Sequence, residues 1–369
     1  MIKVSIVGST GYVGIELMRL LHQHPEVEIK DLISKSSAGK KLVDIYPQFR
    51  GSKLEDYNLQ AIEDFEPENS DLIFTALPHG VSQDITTELV GRGAKIIDMS
   101  GDFRYHDLEI YEKWYGVKHR HPEIARKAVY GLVELNREKI KKAELIANPG
   151  CYVTASLLGL LPVVKNSMAD LSSIIIDAKS GVSGAGRSLK SSLLFTETHN
   201  TLKAYSPAVH RHSSEIEYIL NKYLAGRFNL KDKNNKKIKN NREINNLKNT
   251  AEVLFTPHLV PIKRGILSTI YLKLNNKSSQ KEINEIYTNF YENENFVQIL
   301  ENELPEIKNV AGSNYTQIAY KYDERTNRLI IVSVLDNMIK GASGQAVQNM
   351  NLLFGFPEDM GLKSIALFP

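Results

Sequence analysis

Cys151 is the only cysteine among 369 residues, so it cannot form a disulfide within the chain. It stands in Asn148-Pro149-Gly150-Cys151-Tyr152, after an apolar run, Glu144-Leu145-Ile146-Ala147, that reads as a strand end. Pro149 and Gly150 mark a turn, and Tyr152 to Val164 reads as a helix. The sequence therefore predicts a thiol at a helix N-terminus. Unpaired N–H groups and the positive end of the helix dipole favour the thiolate there. An ordinary cysteine titrates near pH ~8.5, and such surroundings lower that value. Position alone leaves two readings, an activated nucleophile or a small buried hydrophobe.

A cysteine nucleophile needs a base, and the base needs a group that orients it. Tyr205 to Glu215 carries His210, His212 and Glu215, just before a helical pattern over Ile216 to Leu224. His212 and Glu215 are three apart at a helix start, so they can share one face. A glutamate that accepts from the imidazole fixes its tautomer and raises its basicity. Read alone, His210-Arg211-His212 is also a metal pair, but no second ligand cluster accompanies it, and no metal is expected. A hydrogen-bonded core histidine is the plain alternative. Arg104, in Asp102-Phe103-Arg104, can hold an anion with its planar fork or pair with nearby acids. Ser180-Gly181-Val182-Ser183-Gly184-Ala185-Gly186-Arg187 reads as an anion nest or as a plain flexible loop.

These groups need a scaffold. Lys3 to Val7 is a short apolar strand, followed by Gly8-Ser9-Thr10-Gly11-Tyr12-Val13-Gly14 and a helix through Leu21. Strand, glycine turn and helix is the context in which a pyrophosphate approaches helix N–H groups. The spacing is G-x-x-G-x-x-G rather than G-x-G-x-x-G, and a ligand-free βα turn is the alternative. Val27 to Ile33 reads as the second strand. No acid stands at its end to hold ribose hydroxyls; Ser34-Lys35-Ser36-Ser37 follows, which suits a 2′-phosphate and hence NADP, or is a solvated basic loop. Asp71 to Ala76 and Ala94 to Met99 read as buried strands around a helix from Val81 to Arg92. Such alternation predicts a doubly wound parallel sheet, with ligands at its carboxyl ends, where Leu77-Pro78-His79-Gly80 and Ser100 to Arg104 lie. Ser173 to Ala178, Ile266 to Leu274, Asn314 to Tyr322 and Arg328 to Leu335 read as strands, and Ser278 to Glu292 as a helix. That succession predicts a mostly antiparallel second sheet. A last helix, Ala346 to about Leu353, is expected to return to the first domain. The boundaries are thus 1–150 with 337–369 for the cofactor half and 151–336 for the other.

A chain of this length exceeds a single core. Hydrophobic residues make up 42% and charged residues 24%, and net charge is +3, too weak to argue for nucleic acid. Fourteen of the nineteen residues in 231–249 are Lys, Arg or Asn, so this stretch reads as an exposed insertion. No apolar run is long enough for a membrane span, Met1 opens directly onto a strand, and one cysteine fits a reducing compartment; a cytoplasmic protein is expected.

Taken in order, Gly8 to Gly14, Ala76-Leu77-Pro78-His79-Gly80, Asp102-Phe103-Arg104, Asn148 to Tyr152, His210-Arg211-His212, Pro257-His258-Leu259-Val260-Pro261 and Asp336-Asn337-Met338-Ile339-Lys340-Gly341 resemble the N-acetyl-γ-glutamyl-phosphate reductase family. This is the arginine-pathway branch of the aspartate-semialdehyde dehydrogenase superfamily, and the resemblance spans nearly the whole chain. Ser213-Ser214 replaces the family's common Thr-Pro, Gly101 stands where alanine is frequent, and the 231–249 insertion is atypical. The resemblance implies a Rossmann-type α/β domain plus an α+β catalytic and dimerisation domain of the glyceraldehyde-3-phosphate-dehydrogenase-like type. It implies NADPH, an acyl-phosphate substrate, a thioester on Cys151, and a homodimer or homotetramer built on the second domain. His212 then falls at the family's acid/base, oriented by Glu215, with His210 second. Gly8, Ser9, Thr10, Gly11, Tyr12, Val13, Ser34, Lys35, Ser36, Ser37, Leu77, Pro78, Ser180, Gly181 and Asn337 are assigned to the cofactor. Arg104, Asn148, Lys263 and Arg264 are assigned to the substrate. An aminoadipyl-phosphate reductase, an aspartate-semialdehyde dehydrogenase and an inactive dinucleotide sensor are the competing readings. No histidine follows Arg264, which argues against the aspartate enzyme.

Overall fold

A computed structural model describes residues 1–228 and 250–367, so the stretch 231–249 lies outside the described residues. The chain divides into two compact units. The first comprises Met1–Pro149, Ala185–Ser188 and Met338–Ile365; the second comprises Gly150–Gly184, Leu189–Asn337 and the residues from Ala366.

The first unit is built on β1 (Ile2–Val7), β2 (Val27–Ile33), β3 (Leu72–Thr75), β4 (Lys95–Asp98), β5 (Val129–Tyr130) and β6 (Leu145–Ala147). Their order is β2-β1-β3-β4-β6-β5, and every pairing is parallel. The sequence explains this. β3 is buried at all its positions and β1 at its last four, as required of strands covered on both faces. Helices Tyr12–Leu21 and Ser82–Leu89 supply part of that cover. β1 has β2 on one side and β3 on the other, so the crevice at its carboxyl end is the switch point of the sheet. Gly8 sits there at φ +88°, and a Cβ on it would lie 2.4 Å from the Ala76 carbonyl oxygen, so no other residue fits.

The second unit contains β7 (Ile174–Ser180), β8 (Lys203–Ala204), β9 (Val253–Leu259), β10 (Ile266–Lys273), β11 (Val297–Ile299), β12 (Thr316–Asp323) and β13 (Arg328–Leu335). Their order is β11-β12-β13-β10-β7-β9-β8. Pairings are antiparallel except β11 with β12 and β7 with β9. These strands alternate, which leaves one face buried and the other carrying exposed Ile175, Leu254 and Tyr271. Helix Cys151–Lys165 packs on β10 and β13 and is buried continuously from Tyr152 to Val164. Pro162 inside it has no N–H for the Leu158 carbonyl; the Tyr291 hydroxyl donates to that oxygen instead. Among the described residues no helix is long and apolar enough to cross a membrane.

Candidate active site

In the first unit the glycine turn is tied to the end of β2. Gly8 and Ser9 amides donate to the Ile33 carbonyl at 2.9 and 3.0 Å, the Ser9 hydroxyl donates to the same oxygen, and Thr10 Oγ1 lies 2.7 Å from Ser34 Oγ. Helix Tyr12–Leu21 then starts at Gly11, with no side-chain cap and no acid in its first turn. Its amides therefore face the crevice without an internal anion, the donor set a pyrophosphate needs. Lys35 and Ser36 are exposed beyond β2. Asp31, the nearest acid within the strand, is held by Ser5 and Gln60 at 3.2 and 2.8 Å. Leu77 and Pro78 follow β3, and the Pro78 carbonyl accepts the Val81 and Ser82 amides.

Arg104 and Asn148 are both buried in this unit. Arg104 Nε donates to the Asn148 carbonyl at 2.8 Å and Nη2 to that of Met99 at 3.3 Å. The Asn148 side chain donates to the Ala342 carbonyl and accepts from Asn349, each at 3.1 Å. Both residues, read from sequence as substrate contacts, thus brace the strand end that leads into the cysteine turn. Asp102 does not pair with Arg104 here; its carboxylate accepts the Gly80 and Gln83 amides and the Tyr111 hydroxyl, at 2.8–2.9 Å.

In the second unit Cys151 is the first residue of its helix, after Gly150 at φ −70°, ψ 146°, again with no side-chain cap and no acid in the first turn. Its thiol is partly exposed. Helix His212–Phe228 brings His212 and Glu215 into the same unit, both buried. Glu215 Oε1 accepts the Gly150 amide at 3.0 Å, so this carboxylate grips the cysteine turn itself. His210 Nδ1 accepts the His212 amide at 3.1 Å. Burial first, and then the Arg211 charge, hold His210 down at about 4, so it is neutral near pH 7, as an accepting Nδ1 requires.

Tyr152 gathers these groups. Its ring meets those of His210 and His212 edge-on at 5.8 and 5.9 Å, and its hydroxyl accepts from Tyr205 at 3.1 Å. Burial, then negative charge at Cys151, raise Tyr205 to about 12, against the Tyr152 bond and Arg211. Tyr152, Tyr205 and Arg211 were not singled out from sequence. Tyr152 adjoins the cysteine, which was a usable signal; Tyr205 carries none, because it reaches the site only through β9, where its amide donates to the Pro257 carbonyl.

The glycine loop after β7 is paired rather than loose. Gly181, Val182 and Ser183 amides donate to the carbonyls of Gly265, Ile262 and Lys263. Asn337 joins the two loops, accepting from Gly265 N–H at 2.7 Å and donating to Ser183 Oγ at 3.0 Å. Ser180 is buried beneath them, Lys263 is exposed, and Arg264 Nη1 lies 3.8 Å from Asp336.

Residues 3–143 match the model for the semialdehyde dehydrogenase NAD-binding domain, and residues 151–231 and 236–337 match that for the semialdehyde dehydrogenase dimerisation domain. The chain is 52% identical to the N-acetyl-gamma-glutamyl-phosphate reductase of Halothermothrix orenii, over all of both chains. It is 46% identical to the protein of the same name from Pelotomaculum thermopropionicum, over 100% of this chain and 99% of the relative. Among solved structures it is similar in fold to aspartate semialdehyde dehydrogenase II of Vibrio cholerae complexed with ASA, with TM-score 0.69, 17% identity, and 96% and 98% of the two chains covered. The same figures hold for aspartate semialdehyde dehydrogenase with NADP from Candida albicans.

Proposed function

The chain belongs to the semialdehyde dehydrogenase family, and we propose that it reduces N-acetyl-γ-glutamyl phosphate to N-acetylglutamate 5-semialdehyde and phosphate, a step of arginine biosynthesis. The observation that carries this reading is the whole-length identity to reductases of that name, 52% and 46%. The cysteine-bearing helix start supports the chemistry.

In this reading the Cys151 thiolate adds to the acyl-phosphate carbonyl carbon. The carbon–oxygen bond to phosphate breaks, phosphate leaves, and a thioester remains on Sγ. A bound nicotinamide cofactor supplies the hydride that takes this carbonyl to the aldehyde level. His212 protonates the thiohemiacetal oxygen and takes the proton back as the carbon–sulfur bond breaks, regenerating the thiolate. His210 is a poor proton donor at neutral pH, since burial and Arg211 hold it at about 4, and this favours His212. Glu215 holds the Gly150 amide and, three residues along the same helix from His212, orients the imidazole. Arg264 and Lys263 receive substrate anions, whereas Arg104 and Asn148 brace the turn. The uncapped start of helix Tyr12–Leu21 takes the pyrophosphate, and the acid-free Ser34–Ser37 segment favours NADP over NAD. Asn337, Ser180 and Gly181 are further residues assigned to the cofactor. A second copy of the chain covers the sheet face bearing Ile175, Leu254 and Tyr271, giving a dimer or tetramer. A reducing cytoplasm suits a thiol of this kind.

The test is reverse turnover: phosphate-dependent NADP reduction with N-acetylglutamate semialdehyde, aspartate semialdehyde and the aminoadipate homologue compared. Preference for the first, lost without phosphate, is expected. Preference for another aldehyde overturns the substrate, and activity with none overturns the reaction.

A further inference from the structure

Arg187 follows the glycine loop of the second unit in sequence, yet Ala185–Ser188 packs as part of the first unit. Its guanidinium lies over the Tyr46 ring, 5.0 Å from the centroid. Nη1 donates to the Tyr46 hydroxyl at 2.7 Å and to the Thr10 carbonyl at 3.2 Å. The Tyr46 hydroxyl in turn donates to the Thr10 carbonyl at 2.6 Å, and Thr10 Oγ1 touches Ser34 Oγ. Residues 10, 34, 46 and 187 thus converge from distant parts of the chain onto the carboxyl ends of β1 and β2.

We propose that Arg187 reads the 2′-phosphate of the cofactor and so sets its preference for NADP; this rests on the NADP reading above. The end of β2 is where this kind of sheet holds the adenosine ribose. An NAD site places a carboxylate there; here Ser34 and Lys35 stand in its place, and Asp31 is already engaged by Ser5 and Gln60. Arg187 is exposed, and among the described residues no carboxylate pairs with it. Its aromatic support and its two Nη1 bonds fix the guanidinium plane in advance, while Nε and Nη2 remain for an oxyanion. A fork held in this way binds a phosphate oxygen pair with little further ordering. A residue that merely strutted the turn would support both dinucleotides equally.

Calorimetric binding of 2′,5′-ADP and of 5′-AMP to the full chain tests this, for wild type, Arg187→Met and Arg187→Lys. Methionine keeps stem packing on Tyr46 without the charge; lysine keeps the charge without the fork. Wild type is expected to bind 2′,5′-ADP more tightly than 5′-AMP. Arg187→Met is expected to lose roughly tenfold or more of that preference with 5′-AMP affinity unchanged, and Arg187→Lys to fall between. No preference in wild type overturns the NADP reading and the inference with it. An unchanged preference in Arg187→Met overturns the inference alone. Equal weakening of both ligands makes Arg187 a strut and also overturns it.

Discussion

Two helices of this chain begin alike and are used differently. Tyr12–Leu21 follows β1 and Cys151–Lys165 follows β6; each starts after a glycine, without a side-chain cap and without an acid in its first turn. Both therefore begin at the positive end of a helix dipole, with no side-chain cap. In the reading proposed above the first serves an anion that comes with a ligand. The second carries its own anion-forming group, Cys151, as its first residue, and its turn is gripped by Glu215. The difference teaches that an uncapped start is a general device for negative charge. The residue at its first position decides whether that charge comes with the ligand or with the chain.

Cys151→Ser breaks the comparison most severely. A serine hydroxyl is not ionised by a helix start, so turnover should fall about 10⁴-fold or more while the affinity for NADPH, measured by fluorescence, stays near wild type. Parallel loss of binding would mean that Cys151 is structural. The converse variant is Gly14→Ala. Its Cβ would lie 2.6 Å from the Gly8 and Ser9 carbonyl oxygens, so the first turn must open, with a loss of about 1–3 kcal/mol of stability. NADPH binding should weaken severely, while iodoacetamide alkylates Cys151 at its wild-type rate. Slower alkylation would mean that the two helix starts are not independent.

Glu215→Gln asks what the grip contributes. The amide can still accept from Gly150, but the carboxylate charge, three residues along the helix from His212, is gone. The expected result is a kcat about 10- to 100-fold lower, a KM nearly unchanged, and an acid limb of the pH–rate profile moved to lower pH. A lower kcat with an unmoved profile would confine Glu215 to holding the turn.

Much of this was legible because the local signals agreed. In the first half strands such as Leu72–Thr75 alternate with helices, and in the second Ile266–Lys273, Thr316–Asp323 and Arg328–Leu335 come largely in succession, so the order of elements told the two kinds of sheet apart. Helix Leu108–Tyr115 went unread although its signals exist: Asp107 caps it and Gly116 closes it at φ +66°. Its buried side is chiefly Tyr111, too little to set a period. The two-residue β5 and β8 were beyond reach for the same reason. At the site, the residue types were readable and their partners were not. Glu215 reaches Gly150 across 65 residues, and Arg104 reaches Asn148 across 44. Spacing rules speak only of neighbours on one element, so such bonds need the fold.

Two buried groups, one in each unit, answer acid in opposite senses, and this is the smallest effect expected. Burial and Arg211 hold His210 at about 4, below the ordinary histidine value near ~6.5. As pH falls below ~6.5 the unfolded chain takes up a proton that the folded chain refuses, so stability is lost until about pH 4. Burial, and next the Asp102 charge, push Asp98 up to about 6. There the folded chain takes up the proton first, so acid relieves a buried charge and stability is gained down to about pH 4. Between pH 7 and 4.5 the two arms have opposite signs and offset one another. Removing one arm exposes the other. Urea midpoints should fall more on acidification in Asp98→Asn than in wild type, and less in His210→Asn. Identical pH dependence in all three would show that neither group titrates in this window.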